Sequence, residues 1–77
     1  MMTAIQSLEL DFRAELNQKN FGNSQWEDNS YQYMISTIEN SKIDTTIKNK
    51  LIELLNDTSV SLREVYFNVL DYLAQLQ

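Results

Sequence analysis

Gly22 is the only glycine in the chain, and there is no proline. Two-residue β-hairpins draw on glycine for positive φ, and many other turns draw on proline for its fixed φ. A chain with one such residue in 77 is poorly equipped for a sheet. It suits helices joined by short polar loops, so the expected class is all-α. At this length the chain is one domain, residues 1–77, whose folding buries about 60% of the surface the unfolded chain exposes. Cysteine and histidine are both absent, which removes disulfides and structural zinc as reinforcement. The 43% hydrophobic content must hold the fold by packing alone.

Four apolar stripes recur at helical spacing. Ile5, Leu8, Phe12 and Leu16 predict a helix over residues 4–17, with Thr3 as N-cap and the pairs Glu9–Arg13 and Glu15–Lys19 one turn apart. The polar cluster around Gly22 ends it. Ser24 and Glu27 have capping-box spacing, and Tyr31, Met34, Ile35 and Ile38 carry a second helix over 25–39. Ile43, Ile47, Leu51, Leu54 and Leu55 predict a third over 43–56, with Ser41 or Asp44 as alternative caps. The clearest signal is the last. Ser61 and Glu64 form a capping box flanked by Val60 and Val65, the two ends of a hydrophobic staple. The helix over 62–76 follows, with an apolar face that includes Leu62, Val65, Tyr66, Val69, Leu70 and Leu73. That face is wider than the stripe of an ordinary surface helix, so the other helices surround it or a second chain shares it. Leu10 and Ile52 read as isolated apolar groups on the backs of their helices. Short loops make the four helices a compact antiparallel bundle of up-down connectivity.

The missing residue types also bound the chemistry. Without histidine or cysteine there is no Ser-His-Asp or Cys-His nucleophile, zinc-protease helix or zinc finger. One glycine cannot build a Walker loop or a dinucleotide fingerprint. Asp57, Ser59 and Ser61 alternate as in a calcium loop, but Leu62 stands where such a loop needs glycine and Asn68 where it needs glutamate. The expectation is a non-enzymatic protein with no catalytic residue, cofactor or metal. Helix-turn-helix spacing before SLREVYFNVL is met by Arg63 as that helix's only cation, so an ordinary helical hairpin is preferred to DNA contact. The first residues lack the pattern of a signal peptide, and no apolar run approaches 18 residues. The expected setting is cytoplasmic, with no membrane contact.

Charge points toward a protein partner. The chain carries eleven acidic and six basic residues, for a net charge of -5, which disfavours nucleic acid and anionic lipid. Residues 1–40 hold six carboxylates against Arg13 and Lys19, a net of -4. On the second helix, Trp26 and Tyr33 lie roughly 220° and 200° from Tyr31, away from the core stripe. Exposed aromatics in polar surroundings resemble binding hot spots. The candidate partner-binding residues are therefore Glu9, Asp11, Glu15, Glu27 and Asp28 for electrostatic steering, with Trp26 and Tyr33 as anchors. Should the helix begin later, Trp26 instead closes over the core as a lid. The partner expected is another protein with a basic surface, such as a toxin or nuclease, so the chain reads as an inhibitor, immunity or antitoxin-like neutraliser. Alternatives are a homodimeric module joined through Val65, Val69, Tyr72 and Leu76, and a DNA-binding regulator. A monomer is favoured over the homodimer.

Overall fold

Each helix begins at a side chain that supplies a hydrogen-bond acceptor to backbone amides lacking intrahelical partners. In the computed structural model, which describes residues 2–77, these starts define α1 (Ala4–Asn17), α2 (Ser24–Glu39), α3 (Thr45–Leu55) and α4 (Leu62–Gln75). Thr3 and Gln6 cap α1 reciprocally, the Thr3 hydroxyl accepting from the Gln6 amide at 3.1 Å and the Gln6 side chain accepting from the Thr3 amide at 3.0 Å. Asp44 caps α3 through the Thr46 amide, and Ser61 caps α4 through the Glu64 amide. Beside that cap, Val60 packs against the core and Val65 is buried in it.

At α2 the cap falls one residue earlier than its sequence suggests. Asn23, not Ser24, accepts from the Trp26 amide at 3.0 Å, and Ser24 is already helical. Glu27 still reaches back, but its carboxylate accepts from the Gly22 amide at 2.7 Å. Asparagine at the cap and glutamate in the first turn satisfy two loose donors without the serine. Helix α3 starts at Thr45 rather than 43, because Asp44 is the cap that forms; Ile43 lies in the loop and packs on the core.

The core draws on all four helices: Leu8 and Phe12, Met34 and Ile38, Leu51 and Leu55, and Val65, Tyr66, Val69 and Leu73 from α4. Neighbours form a closed ring. Helices α1 and α3 each pack against both α2 and α4. Helix α4 thus has partners on two flanks, which accounts for its wide apolar face within one chain. Val65 and Val69 are buried there, so a dimer seam through them would have to open the core. Ile52 is not an isolated surface residue, because it packs against the same cluster. Polar ties reinforce the ring: the Tyr31 hydroxyl donates to Asn56 across α2 and α3, and Lys48 donates to the Glu39 carbonyl at 3.0 Å. The Asp57 carboxylate accepts from both the amide and the hydroxyl of Ser59 in the last loop. Those bonds hold its carboxyl below the ordinary range.

The α1–α2 connection contains two left-handed residues, Lys19 at φ 59° and Gly22 at φ 101°. The first follows the C-cap Gln18, a position that glycine usually fills because a β-carbon is strained there. Opposite outcomes are expected from exchanging the two residue types. Lys19→Gly should raise unfolding free energy by about 0.5–1 kcal/mol, while Gly22→Ala should lower it by about 1–2 kcal/mol. Urea denaturation of both variants checks the signs.

Candidate functional site

Two flanks of α1 face different neighbours. At about 100° per residue, Glu15 and Asp11 fall roughly 60° and 100° to one side of Phe12, and Glu9 and Arg13 by similar angles to the other. The Ser30 hydroxyl of α2 donates to Glu15 at 2.8 Å, so the Glu15–Asp11 flank faces α2. On α2 the same rotation sets Ser30, Trp26 and Tyr33 on the flank toward α1, and Tyr31 on the flank toward α3. Asp11, Glu15, Trp26 and Tyr33 therefore share one seam.

The remaining candidates are not brought to it. Glu9 pairs with Arg13 at 3.7 Å on the opposite flank of α1. Glu27 turns into the α1–α2 loop to hold Gly22. Asp28 is exposed about 120° from Met34, on the side away from α1. Within the seam the roles also divide. Tyr33 is 57% exposed. Trp26 is half-buried, its ring edge-on to Phe21 at 4.9 Å, and Phe21 is in turn edge-on to Tyr66 at 5.9 Å. Phe12 also meets Tyr66 edge-on, at 5.1 Å. Trp26 thus ends a row of aromatics that reaches into the core, although the helix starts early.

Beneath the seam lies a buried polar chain. Ser30 is 4% exposed, and its oxygen lies 2.8 Å from the Tyr66 hydroxyl as well as from Glu15. Serine has one proton to give, and it goes to the carboxylate. The order is therefore fixed: Tyr66 donates to Ser30, and Ser30 donates to Glu15. Burial is the main reason the Tyr66 hydroxyl is pushed up to about 12, with the Glu15 and Glu27 charges adding to it and the Ser30 bond opposing it. Ser30 is buried between three helices, and its bonds tie α4, α2 and α1 together. Among the described residues no side-chain polar atom is buried without a partner. Nor, among them, does any group of three or more potential metal ligands converge.

The other flank of α1 carries a concavity. Arg13, Leu16 and Lys19 from the α1 side and Arg63, Phe67 and Leu70 from α4 line an open groove of about 670 Å³, with Phe21 at one end. Its cations are separated by up to fifty positions in sequence, so no local motif could signal it. Leu10, expected to stand alone, borders an adjoining hollow together with Met2. No helix among the described residues is long and apolar enough to cross a membrane. Comparison with known proteins finds no family model, no curated protein and no solved structure that matches the chain.

The polar chain predicts an asymmetry. Ser30→Ala should cost about 1–3 kcal/mol by leaving the Tyr66 donor without its acceptor, whereas Tyr66→Phe should cost less because Ser30 keeps Glu15. Alkaline pH supplies a second signature. The unfolded tyrosine ionises near pH 10 while the folded one holds its proton to about 12. Stability contributed by Tyr66 is therefore complete below pH 10 and falls between 10 and 12, by up to about 1.4 kcal/mol per pH unit. Tyr66→Phe should flatten that decline in urea titrations at successive pH values.

Proposed function

We propose that this is a non-enzymatic protein-binding domain whose α1–α2 seam engages a basic surface on another protein. The observation that carries the reading is Tyr33, 57% exposed, on the helix flank that faces Asp11 and Glu15. A large amphipathic ring standing free beside carboxylates is the arrangement expected of a binding anchor with electrostatic steering. The anchoring role rests on Tyr33 alone, because Trp26 is occupied by Phe21. Asp11 supplies the field, and Glu15 adds charge beside its bond to Ser30.

In its finer form the proposal is a neutraliser, an inhibitor, immunity or antitoxin-like protein that covers a basic nucleic-acid-binding or nuclease site with carboxylates in place of phosphates. Small size and a net charge of -5 support that class. A cytoplasmic setting accompanies it, on the absence of cysteine.

Affinity capture from the source cells, read by mass spectrometry, tests the reading with three baits. The wild-type chain should retain a protein of basic isoelectric point, which the double variant Asp11→Lys, Tyr33→Ala should lose by about tenfold or more. Trp26→Ala should keep that partner while lowering unfolding free energy by about 2 kcal/mol. Equal recovery by wild type and the double variant would sink the proposal.

A further inference from the structure

Half of the chain's six basic side chains, Arg13, Lys19 and Arg63, meet at the groove between α1 and α4. In a chain of net charge -5 that is a marked separation of charge. Helix stability does not account for Arg63. Arg63 sits in the first turn of α4, where the helix dipole disfavours a cation. Neither Lys19 nor Arg63 forms an ion pair with a carboxylate among the described residues, and Arg13, paired with Glu9, still has a side chain 63% exposed. The Arg63 guanidinium lies 5.1 Å over the ring of Phe67, which remains 43% exposed. The groove therefore offers guanidinium and ammonium donors along the rim of an apolar wall formed by Phe21, Phe67 and Leu70.

Its extent indicates the size of the occupant. The adjoining hollow of about 340 Å³, bordered by Met2 and Leu10, shares Arg13 with the groove. Both lie on the α4-facing flank of α1, which runs from Ala4 to Asn17, roughly 20 Å at 1.5 Å per residue. A small carboxylate would fill a fraction of that length, and sites for small ligands enclose most of their surface. An open groove with a second hollow beside it on the same helix matches a peptide segment. Glu9 borders the Met2 end, which leaves the Lys19 end as the place for negative charge.

We propose that the α1–α4 groove docks an acidic amphipathic segment of a partner protein. Its carboxylates meet Arg13, Lys19 and Arg63, and its apolar side chains lie on Phe67 and Leu70 and run on toward Leu10. Arginine forks pair carboxylates in two-point fashion, and apolar anchors at helical spacing are the usual means by which a helix occupies a groove. This surface lies across α1 from the acidic seam, so the two sites are separable by mutation.

Fluorescence anisotropy with the full chain tests the assignment. The probe is a dye-labelled synthetic peptide of about 15 residues, with Leu or Phe at helical spacing on a Glu- and Asp-rich background. A Lys-rich counterpart and decanoate serve as comparisons. The acidic peptide should bind, and its affinity should fall about fivefold or more as salt rises from about 50 to about 300 mM. Arg63→Glu, Lys19→Glu and Phe67→Ser should each weaken it by about tenfold, with circular dichroism unchanged because all three side chains are exposed. Asp11→Lys, on the seam, should leave peptide affinity intact, which separates this test from that of the α1–α2 reading. Equal binding of the Lys-rich peptide, unaltered affinity in Arg63→Glu, or binding of decanoate without the acidic peptide would each overturn the proposal.

Discussion

The hydroxyl of Tyr66 is the point on which the rest of the molecule turns. A small all-α bundle without cysteine or histidine has few ways to fix which helix faces which, since apolar side chains of similar size are interchangeable in a core. Tyr66 supplies direction. From α4 it donates to Ser30 on α2, which donates to Glu15 on α1, while its ring takes Phe12 on one edge and Phe21 on another. A rotated or shifted helix would leave a buried hydroxyl unpaired, at a cost that compares with a sizeable share of a small domain's stability. The apolar contacts supply the bulk of the burial, and the polar chain selects one arrangement of it.

Much of this architecture was legible in advance. The stripes led by Leu8, Met34, Leu51 and Val65 place the four helices within two residues of their observed ends, because each stripe is long and its caps are good. The error at α2 came from competing caps. Asn23 and Ser24 are adjacent and both suited to the position, and only the loop geometry around Lys19 and Gly22 decides between them. The polar chain was invisible because Glu15 and Ser30 each look like ordinary surface residues of an amphipathic helix. Their partnership depends on the azimuth of two helices.

The candidate surfaces show the same limit. Counting carboxylates in the first forty residues treats them as one cloud, but a helix distributes neighbours in sequence to different sides. Glu9 and Asp11 stand two positions apart and serve opposite flanks of α1. The cations show the converse, since Arg13 and Arg63 are remote in sequence and share a groove. Net charge described the chain correctly and located nothing. The fold instead divides charge across α1, with Asp11 and Glu15 toward α2 and Arg13 and Lys19 toward α4.

Trp26, the one tryptophan, acquires a further property from its contact with Phe21. Phe21 borders the basic groove and also touches Tyr66, so the indole stands two rings from the core hydroxyl and one ring from the groove. Its emission is a native optical readout of both places. Loss of the bundle exposes the half-buried indole to water and moves its spectrum to the red, while a ligand that shifts Phe21 alters its intensity with the fold intact. The molecule carries a single-site fluorophore that reports unfolding without any label.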